Sequence, residues 1–286
     1  MGNVLFGLGV SPYLAPGFDP VGFGRRAEEL GFDFLSTSDH PCTTEPNYEA
    51  WTLLSWIAAS TSRIRIATRV LGVPYRPPAV VAKMAETFDR LSGGRLILGL
   101  GGGYSDEEFR AFGLRVPTPR EKVDGLAEAI EITRGLWSQP AFSYAGRLFH
   151  TEAADLTPKP ERRIPIWLGT FGPRALTLTG RLADGWIPSH GHAPPDTIPG
   201  LRNRIVTAAL DAGRDPDELT YAYHVQLNLT RPDEPGVLTG PAIAEQLASF
   251  TRLGFTALSL VPVGPDRDAQ LEQIATEIIP AVRALL

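Results

Sequence analysis

The sequence predicts an α/β protein folded as a single (β/α)8 (TIM) barrel, with rim insertions after strand 4 and before strand 5. Two observations carry this expectation. Short apolar, β-branched runs alternate with helical patterns, the signature of βα units and a parallel sheet. Eight such units fit in 286 residues, the length of one closed barrel read as one domain over 1–286.

The first strand is expected at 4–10, with a helix at 21–30 that Gly31 ends. Strand two is 34–39; helix two, 48–60, carries Trp51, Leu54, Ile57 and Ala58 at helical spacing. Strand three is 64–70, and Pro77 and Pro78 open helix three, 78–91. Strand four, 95–100, precedes a long helix at 120–137. The second half repeats the rhythm: strands at 164–168, 186–188, 219–229 and 257–262, and helices at 173–183, 200–212, 241–253 and 268–285. Two stretches break it. Residues 101–118 read as a glycine-rich and acidic loop, and 139–163 as a hairpin around Ala145-Gly146 followed by a proline-marked connection. Both are expected on the rim of the site.

Composition narrows the function classes. Hydrophobic residues make up 43% and charged residues 21%, the balance of a globular enzyme and not of a disordered chain. One cysteine, Cys42, excludes a disulfide framework and a multi-cysteine zinc site. A net charge of -5 argues against nucleic-acid binding. No run approaches the ~18 apolar residues of a membrane span, and the start, MGNVLFGLGVSPYL, lacks the basic residues of a secretory signal. A cytoplasmic location is therefore expected. The three lysines against 24 arginines, with abundant Ala, Gly and Pro, suggest a GC-rich genome.

Barrel enzymes build their sites from the loops that follow the strands, so strand-end residues are the candidates. Asp39 and His40 end strand two and form an acid–base pair; the alternative is an Asp that caps the loop over a packed His. Gly99 to Gly103 fails the G-x-G-x-x-G pattern because Tyr104 takes the last position. The glycines either let a flat ring approach the backbone or form a flexible loop. Gly169 to Arg174 is a glycine turn running into a helix that Pro173 opens. Its free N–H groups suit a phosphate, with Gly172 at positive φ and Arg174 adding charge; the alternative is an ordinary βα turn. His190 and His192 are candidate substrate or metal ligands, although such loop histidines are more often merely solvated. His224 falls mid-strand and is expected to pack or to line the barrel. No set of three or four metal ligands appears at ligand spacing, and no G-x-S-x-G marks a serine hydrolase.

Four stretches share a further pattern: FDFLSTSDH at 32–40, TSRIRIATRVLGVPYRPPAVVAKMAETFDRLSGGRLILGLGGGYSDEEFRAFG at 61–113, PIWLGTFGPRALTLTGRLADGWIPS at 165–189 and LGFTALSL at 253–260. In these the chain resembles the luciferase-like monooxygenase superfamily, most of all its branch of oxidoreductases dependent on the deazaflavin coenzyme F420. The resemblance implies a cofactor at the C-terminal mouth of the barrel. Asp39 and His40 would stand beside its ring, His40 as proton donor or acceptor. Arg69-Val70, with Gly72 after it, would form a strand-three bulge, often a non-proline cis peptide, that backs the ring. Gly102 and Gly103 would flank the ring and side chain, and Thr170, Phe171, Gly172, Pro173 and Arg174 would hold the phosphate.

The chain also departs from the branch. Sugar-phosphate and alcohol dehydrogenases of that kind carry acids after strands one and four, where this chain has Tyr13 and Tyr104. Pro41-Cys42-Thr43-Thr44 stands where they have a tryptophan, and their substrate-phosphate lysine has no counterpart near His192. These departures count against sugar-phosphate and secondary-alcohol substrates; Tyr13 and Tyr104 would shape the pocket or supply a proton. The expected function is hydride transfer between F420 and a small organic substrate, by a homodimer. The alternatives are a reduced-FMN-dependent monooxygenase and a cofactor-binding protein without turnover.

Overall fold

A computed structural model describes residues 4–229 and 240–286; residues 1–3, at the start of the stretch weighed above for a leader, lie outside them. In chain order the elements are β1 (Leu5–Gly9), α1 (Pro20–Glu29), β2 (Phe34–Thr37), α2 (Ala50–Ala59), β3 (Arg65–Thr68), β4 (Leu71–Gly72), α3 (Pro78–Leu91), β5 (Leu96–Gly101), α4 (Asp106–Ala111) and α5 (Pro119–Ser138). Then come β6 (Phe142–Ala145), β7 (His150–Ala154), β8 (Ile166–Leu168), α6 (Pro173–Leu182), β9 (Gly185–Trp186), α7 (Ile198–Asp211), β10 (Thr220–Leu227), α8 (Gly240–Arg252), β11 (Ala257–Pro262), α9 (Arg267–Gln273) and α10 (Ile279–Ala284). A π-turn over Ile274–Ile278 joins α9 to α10.

Eight strands close into a parallel barrel in the order β1, β2, β3, β5, β8, β9, β10, β11, and β11 pairs back onto β1. The expected eight βα units are all present. The sixth strand is shorter and earlier than expected, Gly185–Trp186. Residues 101–118 are not all loop, because they contain α4. The predicted hairpin is β6–β7. It packs along the outer faces of α3 and α5, with Phe142 and Tyr144 against Ala82, Ile132 and Leu136, and it contributes no residue to the cavity described below.

Local chemistry starts the helices. Asp19 accepts from the Val21 N–H and Pro20 occupies the first turn of α1. Thr118 and Glu121 form a capping box at α5, with Pro119 at its start. Gly31 (φ 84°) follows the end of α1 in the left-handed region, as the sequence suggested.

Strand side chains alternate between the helical layer and the barrel lumen. The outward set, including Phe6, Leu8, Leu35, Ile66, Leu98, Tyr221 and Tyr223, belongs to the main core beneath the helices. Inside the barrel, Phe34, Ala67, Ile97, Trp167, Ile187, Ala222 and Ala257 form a second core. Phe34 and Trp167 meet edge to face, 5.5 Å between centroids, and fill its base. The Phe34 ring lies where a Cβ on Gly7 would be, so only glycine fits there.

Candidate active site

At the C-terminal mouth of the barrel is a cavity of about 850 Å³, within the range of small-molecule and cofactor sites. Asp39, His40, Tyr13, Tyr104, Arg69, Val70, Gly72, Gly102 and Gly103 all line it, as expected of them. So do His190 and His192, which are part of the wall and not merely solvated, and His224, which lines the barrel. The Arg69-Val70 peptide is cis, as the resemblance implied.

The acid–base pair is rearranged. His40 Nδ1 lies 2.9 Å from Glu108 Oε1, and the Tyr75 hydroxyl donates to Glu108 Oε2 at 2.7 Å. Burial and this carboxylate push the Tyr75 pKa up. Asp39 is not the partner of His40. It accepts from both terminal nitrogens of Arg76, at 2.8 and 3.0 Å, and from the Gly72 N–H at 3.0 Å. Its side chain is only 1% exposed. The reason is geometric: successive residues on extended chain point to opposite sides. Asp39 thus anchors the strand-three bulge while His40 meets α4. Arg76 also bonds Glu49 Oε1 at 2.5 Å. Burial opposes the ionised form of Glu49, but its bonds from Thr52, Trp51 and Arg76 outweigh burial and hold its pKa below the usual value.

Glu108 and Arg76 were not anticipated. A signal for Glu108 did exist. Ser105 followed by Asp106, Glu107 and Glu108 is an N-cap with an acidic first turn, and the Ser105 side chain does accept from the Glu108 N–H.

An aromatic line crosses the mouth. Tyr104, 71% exposed, touches His40 and His192 edge to face at 6.0 and 5.6 Å, and Phe171 lies 5.4 Å from His192. Ser189 Oγ sits 2.9 Å from His192 Nδ1.

The proposed phosphate loop is only partly at the cavity. Phe171 lines it; Thr170, Gly172, Pro173 and Arg174 do not. Thr170 is buried and bonded to Thr179 at 2.7 Å. Arg174 is paired with Asp124 at 2.6 Å. Gly172 caps α6 at φ -75°, not in the left-handed region, with open space beside its Cα. The N-terminus of α6 has no side-chain cap. Among the described residues, no group of three or more His, Cys, Asp or Glu could hold a metal ion, and no helix is long and apolar enough to cross a membrane.

A closed parallel barrel with a large cavity at the C-terminal ends of its strands is an enzyme architecture for small molecules. The sequence profile of luciferase-like monooxygenases matches residues 18–235. The chain is 32% identical over 289 residues to an F420-dependent glucose-6-phosphate dehydrogenase of Microbacterium testaceum (strain StLB037), covering 92% of this chain and 85% of that one. Two solved structures share the fold. An F420-dependent secondary alcohol dehydrogenase in complex with an F420–acetone adduct matches with TM-score 0.87 at 20% identity, over 99% of this chain and 100% of that one. The coenzyme F420-dependent tetrahydromethanopterin reductase from Methanopyrus kandleri matches with TM-score 0.81 at 21% identity, over 98% and 99%. This chain belongs to the luciferase-like monooxygenase family.

Proposed function

We propose that the protein is an F420-dependent oxidoreductase that moves a hydride between the deazaflavin and a small alcohol or carbonyl substrate. The observation that carries the reading is the His40–Glu108 pair at the wall of a cavity large enough for a flat ring and a substrate together. The F420-dependent relative, similar over nearly the whole chain, supports the choice of cofactor.

The residues fit such a group. The cavity holds two buried polar atoms without partners, Arg69 Nε and His224 Nδ1, in a wall otherwise rich in glycine. Val70, Gly72, Gly102 and Gly103 would hold the ring, and the uncapped α6 N-terminus would meet a phosphate of the tail with its N–H groups. When bound, the deazaflavin supplies the hydride acceptor or donor.

The chain's own residues handle the proton. Nδ1 of His40 is committed to Glu108, which fixes the ring and leaves Nε2 for exchange. Nε2 takes the hydroxyl proton as the substrate carbon gives up its hydride, and returns it to the carbonyl oxygen in the reverse direction. Glu108 balances the imidazolium that forms, held in turn by the Tyr75 hydroxyl. The carboxylate expected after strand four, absent at Tyr104, is thus supplied four residues later from α4. Tyr13, Tyr104 and His192 shape the outer pocket.

A homodimer is part of the proposal. An apolar groove of about 400 Å³ between α2 and α3, lined by Trp51, Met84, Phe88 and the exposed Leu91, supports it. The test of the activity is the loss of F420 absorbance when the protein and oxidised cofactor meet a panel of alcohols, hydroxy acids and sugars, each with and without phosphate. Turnover with at least one supports the reading; no reduction of F420 by any, and no oxidation of reduced F420 by the matching carbonyls, overturns it.

A further inference from the structure

The lumen layer just above the packed base contains an unbalanced cation. Arg69 follows β3 and projects into the cavity floor, yet its guanidinium makes no hydrogen bond or ion pair among the described residues, and its Nε is sealed from solvent. The other inward positions at this level offer it no partner: Gly9, Gly99 and Gly169 carry no side chain and are covered by Val261, Thr68 and Val70, and Ser36 and Ser259 satisfy each other at 3.2 Å. His224, on β10, is 8% exposed and its Nδ1 is also unpartnered. Burial, and then the charge of Arg69, push the His224 pKa well below its usual value, so it faces the cavity as a neutral imidazole. Burial pushes Arg69 down to about 10, which still leaves it charged at neutral pH. A guanidinium cannot escape the cost of this environment by losing its proton. The balancing charge must come from what binds.

We infer that Arg69 and His224 form an anion site at the floor of the mouth, which takes a planar, delocalised anion such as a carboxylate or a ring-borne enolate or imide. The guanidinium fork matches two oxygens of such a group, or an oxygen and an adjacent ring nitrogen. The neutral imidazole gives its one N–H to the Ser259 carbonyl, so its free Nδ1 accepts from an N–H or O–H of the bound molecule beside the anion and adds no competing charge. The anion has two sources: a carboxylate of the substrate, or the cofactor ring, which holds the negative charge that comes with a hydride. Only the choice between them rests on the F420 reading.

The experiment has two arms. In the first, the melting temperature of the cofactor-free protein is followed in sodium acetate, nitrate or phosphate against chloride at equal ionic strength. The wild type is expected to gain about 3 °C or more from acetate and nitrate at a hundred times their dissociation constants. Arg69→Met should melt no lower than the wild type in chloride, because it removes an unpaired charge while keeping the stem, and it should not respond to the anions. Arg69→Lys, which keeps the charge, should respond but lose the preference for planar anions. A wild type indifferent to acetate and nitrate, or an Arg69→Met variant that responds as the wild type does, overturns the site.

In the second arm, oxidised and reduced F420 are titrated into wild type and Arg69→Met. A loss of tenfold or more confined to the reduced form assigns the anion to the ring. Equal affinities in both proteins, with acetate still raising the melting temperature of the cofactor-bound wild type, assign it to the substrate. Either result supports the site, and equal affinities without that acetate effect count against it. Failure of F420 to bind either protein overturns the proposed function and leaves the first arm to decide on the anion site.

Discussion

His40 and Glu108 are 68 residues apart in the chain and 2.9 Å apart in space. One ends the second barrel strand; the other sits in the first turn of a short helix beyond the fourth. A carboxylate behind an imidazole leaves the far ring nitrogen as the working atom. His40→Ala should therefore lower turnover by about 100-fold or more while leaving F420 affinity within about threefold, and added imidazole should restore part of the rate. Glu108→Gln should lower kcat with little effect on KM, since it acts through His40. Unchanged kcat at saturating substrate in His40→Ala contradicts the assignment.

Asp39 and Arg76 form a mostly buried, two-pronged ion pair, with side chains 1% and 16% exposed. Removing one partner strands the other. Arg76→Met should cost about 3 kcal/mol in denaturant unfolding, near the low end for broken buried pairs. Arg76→Lys should recover only part of it, because an ammonium cannot fork onto two oxygens. A cost within the ~1 kcal/mol range of surface pairs shows that Asp39 does not depend on Arg76.

Gly172 has ordinary φ and open space, so a side chain there does not strain the fold. Gly172→Asp places a good N-cap at the start of α6 and an anion where the cofactor phosphate is proposed to sit. It should hold or slightly raise the melting temperature and weaken F420 binding by about tenfold. Unchanged affinity with unchanged stability removes the α6 N-terminus from the cofactor site.

His224 gives the fold an acid-side weakness. Its folded-state pKa is depressed by burial and by Arg69, so below its ordinary value of 6.5 the unfolded chain takes up a proton that the folded chain refuses. Stability is then full above pH 6.5 and falls as the pH drops from there toward the folded-state pKa. His224→Asn should flatten unfolding free energy between pH 6.5 and 5 relative to the wild type. Parallel pH dependence in the two proteins contradicts this role.

The barrel was legible because each βα unit announces itself locally. A β-branched run, a helical apolar stripe and a proline or glycine at the boundary are short-range signals, and they placed all eight strands. The floor of the site was legible as well, since strand-end residues such as Arg69 and His40 must face the mouth. Partners were not. Asp39–Arg76 and His40–Glu108 depend on how loops after different strands fold over one another, which no periodicity encodes. The hairpin was seen but not its place, because packing along α3 and α5 depends on Phe142 and Tyr144 meeting residues far away in sequence. The ion pair of Arg174 was not legible for a similar reason: its partner, Asp124, stands on the neighbouring helix 50 residues earlier.

The central claim is that this cavity is built for a deazaflavin. Equilibrium titration of the cofactor-free protein with F420 and, in parallel, with FMN, each in oxidised and reduced form, tests it most directly. The account predicts tighter binding of F420 than of FMN in both forms; FMN bound as tightly as F420, or more tightly, contradicts it.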